Sequence, residues 1–507
     1  MKIKNLPLLL VCCMTTAYGF AQATSGKCGN NLTWFFDSTT DMLTISGTGE
    51  MYNYLGYNND NPPWFKFVDQ IKQVEIKDGV SSIGRLAFEG CHNLVSIFIS
   101  SDVTSINISA FMGCGSLTSI DIESENLSYA SVEGVLFNKE KTALICCPKG
   151  KSGSYIVPNS VISIEDNAFT RCQGLTSIDI PESVKSIGGS AFYHCENLVS
   201  ISIPDSGVTN IEYWAFEGCI SLKSFDIPSS ITSIGYGVFC DCKSLTSVTI
   251  PDNITSIGGS AFRNCTGLTS ITIPASVTNI IYDAFALCSN LTSIDVESEN
   301  KNYVSESGVL FDKDKTTLIY CPDGKTGDYV IPSGVSSIGE WAFDRCSNLT
   351  SVTIPNSVMS IGKAAFWNYS ALQSVKVGWK NPILIDDYTL YNPFMSPANI
   401  TLIIPAGTSE AYRTAPVWRD FKIVESTAAI ENVQISSINI YPNPVSESFT
   451  INGITEPTII TVLDITGKME LQQTVNSDET IVIGHLQNSI YFVNVKGETM
   501  KIVKIAK

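Results

Sequence analysis

Cysteine is the residue type with the most regular placement in this chain of 507 residues. Thiols at a fixed spacing could form disulfides, bind a metal or pack as small apolar groups. Neighbouring thiols of a stacked array would point the same way, which is poor geometry for a disulfide, and unpaired cysteine is among the most buried residue types. We therefore expect a buried packing ladder, and neither disulfides nor a metal site. Nine cysteines follow a phenylalanine by three positions: Cys91, Cys114, Cys172, Cys195, Cys219, Cys242, Cys265, Cys288 and Cys346.

Other chemistry-bearing patterns are few. Histidine, a common general base and metal ligand, occurs three times, at His92, His194 and His485. The sequence holds no His-x-x-x-His or Cys-x-x-Cys pair, no nucleophile elbow and no phosphate-binding loop. The charged run that begins at Asp312 lacks the glycine and the later glutamate of a calcium loop. We therefore predict no catalytic residue, no metal and no cofactor. Of the three hypotheses for function, of which two are given below, an exported hydrolase comes last, because the acid/base pair or nucleophile that it would need is not found.

The regular cysteines belong to a repeat that is written ten times. A typical copy contains Leu-x-x-Ile-x-Ile-Pro followed by Ala-Phe-x-x-Cys, as in residues 245–265, and Tyr369 replaces the cysteine in the tenth copy. The marker phenylalanines lie 23 residues apart, once 24, except for two gaps of 58, which is one repeat plus an insert of 35. A unit this short cannot bury its own apolar face, so we predict a mostly β leucine-rich-repeat solenoid of about ten stacked coils. The marker phenylalanines are Phe88, Phe111, Phe169, Phe192, Phe216, Phe239, Phe262, Phe285, Phe343 and Phe366.

Hydroxyls and carboxylates recur at two positions of each predicted strand, which alternation places on the solvent side. This set, called the polar strip below, could accept hydrogen bonds from a glycan or a basic peptide over a broad face. A second interpretation is that threonine suits strands, and that copied repeats share a surface whether or not it binds anything. Both interpretations stay open. The strip is Ser119, Asp121, Ser177, Asp179, Ser200, Ser202, Ser224, Asp226, Ser247, Thr249, Ser270, Thr272, Ser293, Asp295, Ser351 and Thr353.

The two inserts match each other closely. Residues 134–150 and 308–324 are identical at 12 of 17 positions and lie 174 residues apart. Each has an apolar run, a charged turn and a second apolar run, which predicts a β-hairpin that projects from the edge of the coil. With the polar strip, these hairpins are the expected contact zones. Four pairs of marker phenylalanines are also 174 residues apart, which indicates that a block of six coils was copied once, incompletely.

Segments outside the repeat follow other patterns. Residues 1–23 combine basic residues, an apolar stretch and the site Ala21-Gln22-Ala23, which is typical of a secretory signal peptide. Residues 24–80 alternate like strands and are predicted to form an N-terminal β cap, because an open solenoid end would expose unpaired backbone groups. The remaining predicted domains are the solenoid at 81–378, a C-terminal cap at 379–424, a linker at 425–437 and a small β-sandwich at 438–507.

Composition disfavours several partners. The formal charge of −17 repels phosphate backbones and anionic lipid, so neither nucleic acid nor a membrane surface is expected to bind. After the predicted leader, no stretch approaches the ~20 apolar residues that span a bilayer. The hydrophobic fraction of 44% indicates a folded chain. We therefore expect an exported protein without a transmembrane segment in its mature form.

The repeat, with Ser-Ile-Gly-x-x-Ala-Phe-x-x-Cys and Leu-Thr-Ser-Ile-x-Ile-Pro, resembles the treponemal-type leucine-rich repeats of the BspA-like family. The opening Gly26-Lys-Cys-Gly-Asn-Asn-Leu-Thr-Trp is similar to that family's N-terminal segment, and the resemblance spans residues 25–424. It implies a bacterial surface protein, in some members an adhesin for host matrix proteins or other bacteria. The first hypothesis is therefore an adhesin-like protein that binds an extracellular protein or glycan. The second is a structural component of the cell envelope without a specific ligand.

The tail resembles a type A C-terminal sorting domain of the type IX secretion system. The matching pieces are Tyr441-Pro-Asn-Pro444, the run from Val462 to Lys468, Ile490-Tyr-Phe-Val-Asn-Val495 and the basic Lys501-Ile-Val-Lys504. One departure is Asn488-Ser489, where the family usually places a glycine before Ile-Tyr. The resemblance implies that residues 438–507 engage the type IX machinery of a Bacteroidetes-type bacterium. It also implies passage across the outer membrane, usually with removal of the tail.

Overall fold

A computed structural model of the chain describes residues 24–56, 60–385, 394, 397–426, 439–441, 447–452, 457–464, 468–476, 479–487, 489–495 and 498–504. The predicted signal peptide, nearly all of the predicted linker and most of the Tyr441–Pro444 motif lie outside these residues. Contacts divide the chain into two compact units. The first is Met1–Leu268 with Asn279–Ala284, and the second is Thr269–Thr278 with Phe285–Lys507. The domain boundaries given above stay predictions.

Each coil contributes two kinds of strand. Front strands come from the Leu-x-x-Ile-x-Ile segments, and in many coils they end near a proline, which has no N–H to donate to the next strand. They are Gln73–Ile76, Ser96–Ile99, Ser119–Ile122, Gly153–Ile156, Leu175–Asp179, Ser200–Ser202, Ser224–Asp226 and Ser247–Thr249 in the first unit, and Ser270–Ile273, Ser293–Val296, Gly327–Val330, Leu349–Ile354 and Ser374–Val377 in the second. Shorter side strands follow: Val80–Ile83, Ser105–Ile106, Ser163–Ile164, Ser186–Ile187, Asn210–Ile211, Ser233–Ile234, Ser256–Ile257 and Asn279–Ile280 in the first unit, and Ser337–Ile338 and Ser360–Ile361 in the second.

Within each unit, most neighbouring strands of both kinds pair in parallel and in register. Ser177 lies opposite Ser200, for example, and Ile187 lies opposite Ile211. In-register pairing puts the same position of each repeat at the same point of the coil, so that apolar positions meet in the core and polar positions meet outside. The predicted leucine-rich-repeat solenoid is therefore confirmed, but the described residues contain thirteen front strands where about ten coils were predicted.

The Ala-Phe-x-x-Cys turn forms a third backbone ladder between coils. The N–H of Phe169 donates to the carbonyl of Ala191 at 2.7 Å, and Phe192 donates to Ala215 at 2.7 Å. In most coils the residues two before and two after the phenylalanine have positive φ, as Ser190 (φ 54°) does. These left-handed residues turn the chain sharply while its backbone groups stay paired with the next coil.

The marker phenylalanines stack in the core. In the first unit the ring centroids of Phe169 and Phe192 are 4.9 Å apart, and those of Phe192 and Phe216 are 5.1 Å apart with an interplanar angle of 2°. Trp64 precedes the first marker ring and lies 5.9 Å from Phe88, so the N-terminal segment supplies an aromatic ring in the same stack. Each ring is covered by the coils on either side, which is why a single coil has no core of its own.

The N-terminal cap is an antiparallel sheet whose last strand bends. The first half of Met42–Met51 pairs in parallel with Gln73–Ile76, and its second half pairs with Val80–Ile83. Gly47 (φ 116°) lies between these halves and Gly49 (φ 104°) begins the second half, both in conformations that glycine adopts without strain. One strand thereby covers both strand types of the first coil, as a cap must. The cap strands are Ser25–Lys27, Gly29–Asp37 and Met42–Met51, followed by a 3-10 turn at Phe65–Phe67.

The second unit ends its coils with aromatic packing. The ring of Phe366 stacks on Phe394 at 4.6 Å. The indole of Trp418 donates to the carbonyl of Ile383 at 2.8 Å, and the hydroxyl of Tyr412 donates to Trp379 at 2.8 Å. The elements of this segment are the parallel strands Thr401–Ile404 and Lys422–Glu425, the α-helix Ser409–Thr414 and the 3-10 turns Pro397–Asn399 and Trp418–Asp420; a further 3-10 turn, Ile108–Phe111, belongs to the first unit.

The inserts form the predicted hairpins, but the prediction that they project is wrong. A third strand precedes each hairpin, and the last strand of the first insert pairs in parallel with the side strand Ser163–Ile164. Val135, Leu136 and Phe137 are fully buried, because the apolar run packs into the coil stack and does not extend from it. The insert strands are Tyr129–Val132, Val135–Asn138 and Ala143–Cys146 in the first unit, and Tyr303–Glu306, Val309–Asp312 and Thr317–Tyr320 in the second.

The tail is the predicted small β-sandwich. Two antiparallel sheets enclose a core that includes Phe449, Ile460, Val462 and Val493. One sheet consists of Asn439–Tyr441, Ser448–Asn452 and Thr480–Val482, and the other of Met469–Val475, Thr458–Leu463, Ile490–Val495 and Glu498–Val503.

We predict that Phe192→Ala lowers the free energy of unfolding by about 3–5 kcal/mol, because it removes a ring from the middle of the stack and leaves a cavity. Urea unfolding followed by circular dichroism measures this loss. The control is Phe98→Ala, since Phe98 is 42% exposed on a front strand. Its change should stay within about 0.5 kcal/mol. Equal losses for the two variants would contradict a core built on stacked rings.

Candidate functional site

The polar strip lies on outward positions of the front strands, as alternation predicts. Most of its side chains are exposed and the others are half-buried. In the first unit it comprises Ser119, Asp121, Ser177, Asp179, Ser200, Ser202, Ser224, Asp226, Ser247 and Thr249. In the second unit it comprises Ser270, Thr272, Ser293, Asp295, Ser351 and Thr353. The strip therefore forms two polar faces, one on each unit, that solvent and a ligand can reach.

Some hydrogen-bonding groups of the polar strip are already paired with each other. Ser119 donates to the Oδ1 of Asp121 at 2.7 Å, and Thr249 donates to the Oδ1 of Asp226 at 3.3 Å. An ionised carboxylate has about four acceptor sites, so each aspartate keeps most of its capacity for a donor from outside. These internal bonds hold the carboxylates in place on the sheet.

A second surface feature of the first unit lies at the phenylalanine turns, and sequence reasoning missed it. A cavity of about 1210 Å³ runs between two rows of side chains, and we call it the turn groove. One row lies two residues before the marker phenylalanine: Asn167, Ser190, Trp214, Ser260 and Asp283. The other lies one residue after it: Thr170, Tyr193, Glu217, Cys240 and Arg263. Residues of the first insert, among them Lys149, line one end.

Aromatic side chains of the groove lie over glycines of neighbouring coils. Trp214 is 39% exposed and Tyr236 is 51% exposed, and their ring centroids are 5.8 Å apart. A Cβ atom at Gly259 would lie 3.2 Å from the ring of Tyr236, and one at Gly237 would clash with the indole of Trp214. The missing side chains of these glycines therefore make room for the rings.

Glu217, Cys240 and Asp241 form the one group in the described part of the chain whose donor atoms suit a metal ion by distance. One atom of each lies within 4.8 Å of the others. The thiol donates to the Oδ2 of Asp241 at 3.6 Å, and the amide of Asn264 donates to its Oδ1. Burial raises the pKa of Cys240 to about 12, and the thiol and the Asn264 amide already donate to the two carboxylate oxygens of Asp241. We therefore assign these residues to hydrogen bonding within the groove.

The regular cysteines form a hydrogen-bonded ladder as well as a packed one. Cys195 donates to the carbonyl of Phe169 at 3.0 Å, and Cys219 donates to that of Phe192 at 3.3 Å. Each of these two thiols adds a second hydrogen bond to a carbonyl that already accepts from a backbone N–H, and this bond links one coil to the preceding one. The fourteen cysteines that the structure describes are all buried thiols. The predicted burial of these cysteines is therefore seen in the structure, with a hydrogen bond added, whereas the absence of disulfides stays a prediction.

Histidines keep structural contacts at the positions that the sequence indicates. The Nδ1 of His92 lies 2.9 Å from the carbonyl oxygen of Gly113, and that of His194 lies 3.3 Å from a carboxylate oxygen of Glu196. Both residues are in coil turns, beside the cysteine ladder.

A buried acid in the second unit has one carboxylate oxygen without a hydrogen-bond partner. The hydroxyl of Tyr320 lies 2.7 Å from the Oδ1 of Asp323 and 3.0 Å from the carbonyl of Phe285, and it can donate its one proton to only one of them. The Oδ2 of Asp323 is buried without a hydrogen-bond partner. Burial raises the pKa of Asp323 to about 7. A protonated carboxyl resolves the shortage, because it brings its own donor.

Family models match most of the chain. The model of the BspA type leucine rich repeat region matches residues 62–150, 146–243, 209–326 and 320–402, together about two thirds of the sequence. The chain belongs to the BspA-type leucine-rich repeat family. The model of a secretion system C-terminal sorting domain matches residues 439–506. This BspA-type protein is therefore exported to the cell surface by the type IX route, as predicted. Within the residues that the structure describes, no helix is long and apolar enough to cross a membrane.

Several solved structures are similar to this BspA-type protein. A leucine rich cell surface protein from Faecalibacterium prausnitzii is 24% identical, with 81% of this chain and 96% of that chain covered and a TM-score of 0.40. A leucine-rich repeat protein from Bacteroides ovatus is 22% identical, with 69% and 94% covered and a TM-score of 0.37. One from Eubacterium ventriosum is 23% identical, with 75% and 68% covered and a TM-score of 0.28. No curated protein sequence matches the chain.

We predict that the folded protein reacts slowly with a thiol reagent at pH 8 and that, once unfolded without reductant, it reacts at all fourteen described cysteines. Burial raises the pKa of Cys28 and Cys114 to about 12, so the reactive thiolate is scarce in the folded state. Mass spectrometry after alkylation counts the modified sites. A count near zero in the unfolded protein would mean that the cysteines are paired in disulfides.

We predict that the unfolding free energy of the second unit falls as the pH rises from about 4 to about 7. The pKa of Asp323 is about 7 in the folded protein and 3.8 ordinarily, so the folded state binds the proton more tightly and its advantage is lost as the pH passes the folded value. The full shift corresponds to at most about 4 kcal/mol.

The test compares Asp323→Asn with the unmodified protein in urea at several pH values. The amide cannot ionise, so the variant should keep its stability at pH 8 and lose this pH dependence. Asp295→Asn, an exposed change in the same unit, is the matched control and should leave the profile unchanged. Parallel profiles for Asp323→Asn and the unmodified protein would contradict the assignment.

Proposed function

We propose that this surface-exported BspA-type repeat protein is an adhesin-like binding protein that holds an extracellular protein or glycan on its polar strip. The observation that carries the proposal is the strip of exposed hydroxyls and carboxylates on in-register front strands. A ligand laid across the strands meets the same donors and acceptors at every coil, about 4.8 Å apart. Binding then comes from many weak contacts over a large area, as repeat proteins provide.

Charge favours a ligand with basic groups. In the first unit the strip contains Asp121, Asp179 and Asp226, all exposed, and no cation alternates with them at the strip positions. The whole chain carries a charge of −17, which adds a long-range attraction for a basic partner. Charge-assisted hydrogen bonds from lysine or arginine to carboxylates are stronger than neutral ones. A basic segment of an extracellular protein therefore fits this face best.

The two other hypotheses differ from this one in what they require. A structural envelope protein needs no saturable ligand, whereas an adhesin-like protein does. Leucine-rich repeat proteins are generally not enzymes, and both family matches are to a repeat region and a sorting domain. We therefore do not propose an enzymatic activity.

We predict that the exported protein binds a subset of immobilised extracellular matrix proteins saturably, and that Asp179→Lys with Asp226→Lys weakens this binding tenfold or more, roughly 1.4 kcal/mol. The reversed charges replace attraction by repulsion in the middle of the strip. Surface plasmon resonance at physiological salt measures the affinity.

The matched control is Glu182→Lys with Asp252→Lys. These residues lie in loops that follow front strands of the same unit, so the net charge changes equally off the strip. The control should bind nearly as well as the unmodified protein. Equal weakening by both pairs would reduce the effect to net charge, and no saturable binding to any protein or glycan would favour the structural hypothesis.

A further inference from the structure

The side chains of the turn groove do not repeat from coil to coil. The row that follows the marker phenylalanine contains Thr170, Tyr193, Glu217, Cys240 and Arg263, five different residue types. The strip, by contrast, repeats serine, threonine and aspartate. Copying of the repeat can account for the strip without any ligand, but copying alone predicts a uniform groove. The sequence changed here while the turn backbone of each coil stayed the same.

One groove residue is held in a strained conformation. Trp214 has a φ of 54°, in the left-handed region that bulky residues rarely adopt. The same position in neighbouring coils holds Ser190, Gly237 and Ser260, which are small. The indole is 39% exposed, so its burial offsets only part of the strain. Left-handed backbone recurs at this position in most coils, so what distinguishes Trp214 within the groove is a large, partly exposed ring at a turn position that adjacent coils fill with small residues.

Charges in the groove balance one another. The lining contains the cations Lys149, Arg171 and Arg263 and the anions Glu217, Asp241 and Asp283. This balance is unlike the chain as a whole, whose charge is −17. A charged ligand would meet attraction and repulsion together, whereas a neutral ligand with many hydroxyls can donate to the carboxylates and accept from the guanidinium groups.

A sugar fits this combination of surfaces. One face of a pyranose ring presents C–H groups, which pack on aromatic rings such as Trp214 and Tyr236, and its edge presents hydroxyls. The cavity of about 1210 Å³ exceeds the several hundred cubic ångströms of a typical small-molecule pocket, so it has room for several linked sugars. Neighbouring coils are about 4.8 Å apart, close to the length of one pyranose unit.

We propose that the turn groove of the first unit is a second binding site, which takes a neutral oligosaccharide across Trp214 and Tyr236. The site is separate from the polar strip and does not depend on it. Glu217, Asp241 and Arg263 receive or supply hydrogen bonds to the sugar hydroxyls, and the two aromatic rings stack on its pyranose faces.

The test uses isothermal titration of the full exported protein with four neutral tetrasaccharides at millimolar concentrations: cellotetraose, maltotetraose, mannotetraose and chitotetraose. We expect saturable binding of at least one of them. Trp214→Ser should weaken that binding roughly tenfold or more, and serine is the residue that neighbouring coils already tolerate at this position. Tyr236→Ala is the second variant and should act in the same direction.

Tyr282→Ala is the matched control. Tyr282 is 55% exposed, precedes its marker phenylalanine by three residues as Tyr236 does, and does not line the groove. It and the strip variant Asp179→Lys with Asp226→Lys should leave sugar binding unchanged. The proposal is overturned if none of the four sugars binds, if only a charged saccharide or a peptide enters the groove, or if Tyr282→Ala weakens binding as much as Trp214→Ser.

The two sites fail separately. Loss of protein binding in the strip variant with sugar binding intact supports both assignments. If the strip variant binds every partner as well as the unmodified protein, the proposed function fails. Loss of sugar binding in Trp214→Ser would still support the turn groove as a sugar site. Circular dichroism and thermal unfolding of every variant establish that the compared proteins are folded.

Discussion

Stacking of one coil on the next is the constraint on which the rest of this protein depends. A coil of 23 residues has one phenylalanine, a few aliphatic side chains and three sets of backbone groups that need partners. The ring of Phe192 is covered by Phe169 on one side and Phe216 on the other. Its N–H and the Cys219 thiol both reach across to a neighbouring coil. Burial and hydrogen bonding are thus satisfied between coils, so each terminal coil needs a cap.

The same constraint divides the sequence into positions that must repeat and positions that need not. Interior positions meet their own copies and tolerate little change, since the packed core transmits any change in volume. Exterior positions on the front strands could vary but largely repeat, whereas those of the phenylalanine turns do vary. Variation on an otherwise repeated backbone lets one turn carry a tryptophan and the next a thiol. Position-specific chemistry is therefore easier to build on the turns than on the strands.

Much of the fold could be predicted from the sequence because its signals are periodic. The spacing of Phe88, Phe111 and the later marker phenylalanines predicts the coils. The alternation of polar and apolar residues predicts which side of each front strand faces solvent. The insert was only partly predicted: its hairpin has a charged turn as a signal, but Tyr129–Val132 is short and half-buried along its whole length and has none. That strand pairs antiparallel with Val135–Asn138 of the same insert, so its backbone partners come from the hairpin itself.

The turn groove was not predicted, because its residues occupy fixed positions of the repeat but differ in residue type from coil to coil, so they form no recognisable motif. A signal was present all the same: Glu-Tyr-Trp at 212–214 stands where other copies have Gly-Gly-Ser. The buried Asp323 was missed for a similar reason. It occupies the position of Lys149 in the first block, so the two copies differ in charge at one point of an otherwise similar insert. Departures from a repeat, as well as the repeat itself, therefore mark the places to inspect.

The thiol ladder has a consequence for how this protein reaches the outside of the cell. An exported chain passes through an oxidising compartment, where exposed cysteines are rapidly joined. Here each sulfur is protected only after its own coil has closed over the previous one, since the bond from Cys195 to Phe169 joins two coils. The rate of coil closure therefore competes with the rate of thiol oxidation during export. A chain that folds quickly keeps its cysteines reduced, whereas a chain that folds slowly forms non-native disulfides.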